Sequence, residues 1–376
     1  MKIICDDKIP FLKGVLEQYA QVEYYSGVAF SPEIITDADA LIIRTRTTCN
    51  EKLLKGSNVK FIGTATIGFD HIDVEWVEKN GIRWTNAPGC NSGSVKQYIA
   101  ASFSQLIIEK GINLEGKTIG IVGVGNVGSK VAQVAKSFGM NVLLNDPPRQ
   151  RKEDGIFVSI DQVLAESDII TFHVPLNRGG IDNTYHLFND EILKRLKPGV
   201  IIINSSRGEV TKTSALLSGL EKCIVSEAII DVWENEPEIN QSLLGKVFIG
   251  TPHIAGYSLD GKANGTSMVV QALSNQFRLP LTEWIPKDIP PPKNLKIDFN
   301  CSNLSDEEAL ARIILNTYPI KKDDNLLKSE PETFEKQRGN YPVRREFEAF
   351  ELILKNAGEQ LMKRLKDIGF IKISNS

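Results

Sequence analysis

Short apolar runs alternate with helix-period segments over the first 255 residues of the chain. The runs Lys2–Cys5, Ala40–Arg44, Phe61–Thr64, Thr118–Val122, Asn141–Asn145, Ile169–Phe172, Val200–Asn204, Val225–Asp231 and Val247–Gly250 predict strands. Helical patterns such as Pro10–Tyr19, Val127–Phe138 and Asp161–Glu166 lie between most of them. Near-continuous apolar strands separated by helices imply a parallel sheet covered on both faces. Right-handed crossovers then give a doubly wound α/β architecture.

Ser94–Lys110 predicts one long helix, with Val95, Ile99, Ala100, Phe103, Leu106 and Ile107 near helical spacing and Gly111 ending it. A second candidate, Asn264–Phe277, could return the chain to the first block. Pro280, Pro286, Pro290, Pro291 and Pro292 then mark a semi-rigid linker. Beyond it, a helix Asp306–Asn316, a strand Phe347–Leu354, a helix Ala357–Lys366 and a strand Phe370–Ile373 suggest a small α+β unit. The expected organisation is a discontinuous block of residues 1–95 and 256–285, a block of residues 96–255, and a C-terminal block of residues 286–376.

Composition narrows the class. The 376 residues are 41% hydrophobic and 24% charged, with net charge −3, so the basic domain usual in a nucleic-acid binder is absent. No apolar run long enough to span a membrane is present. Asp6 and Asp7 interrupt any signal-peptide core. The five cysteines are scattered singly, which suggests neither a disulfide framework nor a metal site. A reducing cytoplasm is the expectation.

The chemistry begins at Gly123-x-Gly125-x-x-Gly128, which follows an apolar strand and opens a helix through Asn126 and Val127. That context is what a dinucleotide-binding loop requires. Gly123 permits the tight turn, Gly125 lets backbone amides approach a pyrophosphate, and Gly128 lets helix and strand pack closely. Asp146, 18 residues after Gly128, can accept hydrogen bonds from ribose hydroxyls and repel a 2′-phosphate. The cofactor expected is therefore NAD, in a Rossmann domain, although Arg149 and Arg151 stand nearby.

Hydride transfer from a secondary alcohol needs a base, a group that orients it, and a cation for the substrate's carboxylate. Arg207, Glu236 and His253 each end a predicted strand, where ligands bind in open α/β sheets. Glu234 rivals Glu236, but only Glu236 precedes a proline. These segments, in this order after the glycine loop, resemble the D-isomer-specific 2-hydroxyacid dehydrogenases over residues 1–285. The resemblance implies a flavodoxin-like substrate domain beside the Rossmann domain. It implies that Arg207 binds the carboxylate, that His253 is the acid/base and that Glu236 pairs with it. It also implies cofactor contacts at His173, Val174 and Asp231, while His71 and His186 lack the motif context of His253 and read as structural. Where the family often has V-A-E-Y, this chain has Val95-Lys-Gln-Tyr98.

Arg44, Thr45 and Arg46 offer two guanidiniums and a hydroxyl, and an extended chain would place both arginines on one face. Paired cations suit a phosphate or a second anion, the alternative being a solvated loop. A closer resemblance within the family rests on Asn145-Asp-Pro-Pro148, His253–Tyr257 and Asn340-Tyr-Pro-Val-Arg-Arg-Glu346. It implies a small phosphorylated hydroxy acid as substrate, with substrate positions at Thr45, Thr66 and Tyr257, a cofactor position at Gly256, and a homodimer assembled through the C-terminal block. Arg344 or Arg345 could then reach substrate across the dimer, the alternative being a surface ion pair. Two other readings stay open: the same chemistry on 3-phosphoglycerate, and a non-catalytic NAD sensor.

Overall fold

The computed structural model describes residues 1–375. The chain divides into two compact units, residues 1–91 with 258–290, and residues 92–257 with 291–376.

The first unit holds strands β1 (Lys2–Asp6), β2 (Gln21–Tyr25), β3 (Ala40–Ile43), β4 (Phe61–Thr64) and β5 (Arg83–Thr85). All are parallel, in the flavodoxin-like order β2-β1-β3-β4-β5. Alternation along a strand sends successive side chains to opposite faces. Ile4, Leu41, Ile43 and Ile62 fill one core. Ile3, Cys5, Ala40, Ile42 and Phe61 fill the other, against Val269, Val270 and Leu273 of the returning helix Leu259–Phe277.

The segment Pro10–Tyr19 is not a helix. Phe11 and Gly14 take left-handed backbone angles (φ 63° and 84°), and successive turns close at Leu12 and Leu16 instead. Both leucines are buried, so turns satisfy the spacing that suggested a helix.

The second unit is built on β6 (Thr118–Val122), β7 (Asn141–Asn145), β8 (Ile169–Phe172), β9 (Val200–Asn204), β10 (Val225–Ile230) and β11 (Ile249–Gly250). They form a parallel sheet in the order β11-β10-β9-β8-β6-β7, and a single bridge from Leu144 to Phe157 lies beyond β7. Four of these strands match their predicted bounds residue for residue. Ile119, Ile121, Ile169, Ile201 and Ile203 face the helices Ser92–Lys110 and Asn126–Ser137. Ile170, Phe172, Ile202 and Ala228 face the other way.

Residues 291–375 pack in the same unit. Their strands β12 (Lys296–Asn300), β13 (Glu351–Lys355) and β14 (Lys372–Asn375) pair in parallel. Leu310, Ile313 and Ile314 of the helix Asp306–Thr317 share one core with Tyr98, Ile99 and Phe103. Ser92–Lys110 is accordingly buried along nearly its whole length. The predicted strand Phe347–Leu354 starts later, because Phe347–Ala349 forms a 3₁₀ turn.

Candidate active site

The glycine loop follows β6. Gly123 has φ 89°, and a Cβ there would lie 2.6 Å from the His173 carbonyl oxygen. A Cβ on Gly128 would lie 2.0 Å from the Gly123 carbonyl, so helix and strand close on each other only with glycine. Nothing lies within 4 Å of a Cβ on Gly125, which leaves room over its backbone and that of the exposed Asn126. Val127 turns into the core. That open space at a helix N-terminus fits a pyrophosphate.

Asp146 caps the turn after β7 and accepts the amides of Arg149 (3.0 Å) and Val124 (2.8 Å). Its carboxylate is thereby fixed beside the loop with lone pairs left for a ribose. Arg149 is occupied by Glu153 and by the Val124 carbonyl, and Arg151 by Asp182. These engagements fit a 2′-hydroxyl rather than a 2′-phosphate. At the end of β8, the His173 imidazole meets the Thr171 hydroxyl (2.9 Å), and burial pushes it down to about 3. Val174 follows, its side chain against Gly123.

Three turns leave the carboxyl ends of adjacent strands β9, β10 and β11. Arg207 follows β9 in extended backbone, half-buried. Gly208 beside it is required, because a Cβ would lie 1.9 Å from the Trp233 carbonyl oxygen. After β10, Glu236 accepts the Trp233 amide on Oε1 (2.8 Å) and meets His253 Nδ1 with Oε2 (2.7 Å). The contact orders the imidazole: with Nδ1–H given to a carboxylate, Nε2 carries the lone pair. His253 itself sits at φ 55°, a conformation non-glycine residues rarely hold. Its amide donates to the Asp231 carbonyl (2.7 Å). Glu234, the rival carboxylate, pairs with His186 (2.6 Å) and accepts the Thr213 amide. The turn thus holds two histidine–carboxylate pairs, and only Glu236 serves His253.

The segment after His253 is held from both sides. Asp231 is buried, and its carboxylate accepts the amides of Ile254 (2.8 Å) and Ala255 (2.9 Å) and the Thr251 hydroxyl (2.6 Å). Burial pushes this carboxyl up, against the pull of His253 and these donors. Tyr98 reaches the same Thr251 hydroxyl (2.8 Å). Gly256 lies in the turn closed by the Tyr257 amide on the Ile254 carbonyl.

Arg344 is a correction. It is 6% exposed and donates within its own chain to Ser94 Oγ and to the carbonyls of Ile254 and Ala255. It is neither a surface ion pair nor available to reach another subunit's substrate. The Arg345 carbonyl accepts from Gln97 (2.9 Å). Arg338 was not singled out by sequence. It lies 5.9 Å over the Tyr257 ring and pairs with Glu335 (2.9 Å). Burial works against its charge, but Tyr257, Glu236 and Glu335 outweigh it, so Arg338 lies within electrostatic reach of the His253–Glu236 pair.

In the first unit, Arg44 pairs with the buried Asp6 (2.9 Å). The chain turns there, the Thr47 amide closing on the Arg44 carbonyl, so strand alternation does not carry Arg46 onto the face of Arg44. Thr45 and Arg46 are exposed. Thr66 shares a hydrogen bond with Thr64 (2.7 Å), which also meets His71 (3.1 Å).

Two family models match the chain: the NAD-binding domain of the D-isomer specific 2-hydroxyacid dehydrogenases over residues 96–255, and a domain of unknown function over residues 289–369. The erythronate-4-phosphate dehydrogenase of Bacteroides thetaiotaomicron is 53% identical, covering 94% of this chain and 99% of its own. That of Porphyromonas gingivalis is 40% identical, covering 99% and 100%. The chain belongs to the erythronate-4-phosphate dehydrogenases. Among solved structures, D-lactate dehydrogenase from Aquifex aeolicus complexed with NAD and lactic acid aligns with TM-score 0.63 and 25% identity, over 75% of this chain and 97% of that one. NAD is the cofactor of this chain's family domain. Among the described residues, no helix is long and apolar enough to cross a membrane.

Proposed function

We propose that this chain oxidises the C2 hydroxyl of 4-phospho-D-erythronate to give 2-oxo-3-hydroxy-4-phosphobutanoate, a step of pyridoxal 5′-phosphate biosynthesis. The observation that carries the reading is the 2.7 Å contact of His253 Nδ1 with Glu236. It leaves Nε2 as the base a secondary alcohol requires. Arg207 grips the C1 carboxylate and the C2 oxygen, a task suited to its forked donors. His253 takes the C2 hydroxyl proton on Nε2, and Glu236 stabilises the imidazolium. NAD, when bound, would supply the acceptor for the hydride leaving C2. Gly123, Gly125, Asn126, Val127 and Gly128 would hold its pyrophosphate. Asp146 would hold its ribose, and His173, Val174, Asp231 and Gly256 would border the remainder.

Arg44, Thr45, Arg46, Thr66, Tyr257 and Arg345 are the remaining candidates for substrate. Arg46, exposed in the turn after β3, and Arg44, which pairs with Asp6, are the candidates for the distal phosphate. Relatives that match nearly the whole length of the chain and share one name support the substrate assignment. The reading includes a cytoplasmic homodimer assembled through the C-terminal block. NADH formation tests the reading with 4-phosphoerythronate and 3-phosphoglycerate as alternative substrates. Turnover of the second alone would move the assignment, and turnover of neither would favour a sensor.

A further inference from the structure

We infer that the C-terminal block positions His253, with Arg344 as the positioning residue. The inference rests on the reading of His253 as the group that moves the proton.

The backbone just after His253 is gripped by opposite charges. Asp231 takes the amides of Ile254 and Ala255, and Arg344 Nη2 donates to the carbonyls of the same residues, at 3.2 and 2.6 Å. Ser94 Oγ adds a second donor to the Ala255 carbonyl (2.9 Å). The unfavourable φ of His253 persists only if its surroundings over-determine it, and this clamp does so.

Arg344 is itself placed by the C-terminal block. Its guanidinium lies 4.4 Å from the Tyr318 ring centroid and 5.7 Å from that of Tyr341. Both tyrosine hydroxyls donate to Asp323 Oδ2 at 2.7 Å. The helix Lys321–Ser329 also holds β11, the strand that delivers His253: Asp324 accepts the Gly250 amide (2.8 Å) and Lys328 donates to the Val247 carbonyl (2.8 Å).

The choice of arginine supports this role. Nε and Nη1 of Arg344 are buried with no hydrogen-bond partner. Such burial is costly, and an apolar side chain would fill the space with less penalty. What an apolar residue lacks is the grip on two carbonyls. The departures from V-A-E-Y point the same way. Gln97 donates to the Arg345 carbonyl, which a glutamate could not do, and Lys96 pairs with Glu348 (3.2 Å).

The test compares Arg344→Lys, Arg344→Ala, Ser94→Ala and His253→Ala by NADH formation, NADH binding and thermal melting. Misplacing a reacting group by an ångström costs on the order of 10²-fold, so a folded Arg344→Lys should lose about 10–100-fold in kcat with NADH binding kept. Methylguanidinium should raise the kcat of Arg344→Ala and leave His253→Ala inactive. A folded Arg344→Lys with kcat within about twofold of the parent overturns the inference. If neither Arg344 variant folds, Ser94→Ala decides: a several-fold loss in kcat supports the clamp, and an unchanged kcat overturns it. If His253→Ala retains activity, the proton-transfer reading fails instead.

Discussion

Glu236→Gln isolates what the carboxylate does for His253, because the two side chains are nearly the same size. In the parent, Oε1 accepts the Trp233 amide and Oε2 meets His253 Nδ1. Glutamine offers one acceptor and one donor. If its oxygen stays on the Trp233 amide, its NH₂ faces Nδ1, which must then accept, and the proton moves to Nε2. That tautomer cannot take a proton from the substrate. If the amide flips, its NH₂ confronts the Trp233 N–H, and a buried donor loses its partner at about 1–3 kcal/mol. The first arrangement leaves the fold intact and removes the base. Loss of a general base costs about 10²–10⁴-fold, or about 2.7–5.4 kcal/mol in the barrier. Steady-state NADH formation from 4-phosphoerythronate should show that loss in kcat, while NADH binding by fluorescence stays within about threefold. A kcat within about fivefold of the parent would refute the assignment of Glu236 as the group that sets the histidine tautomer.

Gly125→Val should fold with unchanged melting, since its Cβ meets nothing, yet lose NADH binding by at least about tenfold, or 1.4 kcal/mol. Gly208→Ala should lower the melting temperature, because the added carbon falls 1.9 Å from the Trp233 carbonyl oxygen; overpacking of this kind costs about 1–3 kcal/mol. His173 is held neutral in the folded chain, down to about 3, while the unfolded chain protonates near 6.5. Its contribution therefore makes stability fall as pH drops below that value, by at most about 1.4 kcal/mol per pH unit, and urea unfolding of His173→Asn should lack that slope. Arg46→Ala should raise KM for 4-phosphoerythronate more than for erythronate; equal effects would move the phosphate site elsewhere.

Much of the doubly wound core was legible because its strands are buried on both faces and read as unbroken apolar runs. The edge strands β2, β5 and β12 were not, since one partner and partly exposed faces leave sequences such as Gln21–Tyr25 and Lys296–Asn300 polar. Pro10–Tyr19 misled because the i, i+4 burial of Leu12 and Leu16 is met equally by turns. At the candidate site, Arg207, Glu236 and His253 were singled out through their strand-end segments, and the structure brings Glu236 and His253 into contact. Arg338 and Arg344 meet Tyr257 and Ala255, more than 80 residues away in sequence, which local pattern does not encode. The one hint was the altered V-A-E-Y segment. Lys96 and Gln97 meet Glu348 and the Arg345 carbonyl of the C-terminal block.

β11 is only two residues long and ends the sheet. Its outer neighbours are the helix Lys321–Ser329 and the amine groups of Lys321 and Lys328 on the Phe248 carbonyl. An open sheet edge of this kind is a template for pairing with another chain. The C-terminal block therefore also acts as a stopper, keeping the strand that leads to His253 from recruiting a neighbour's backbone. A chain that ended before residue 291 would expose both that edge and the core face now covered by Leu310, Ile313 and Ile314. Its failure would show as aggregation as much as lost turnover.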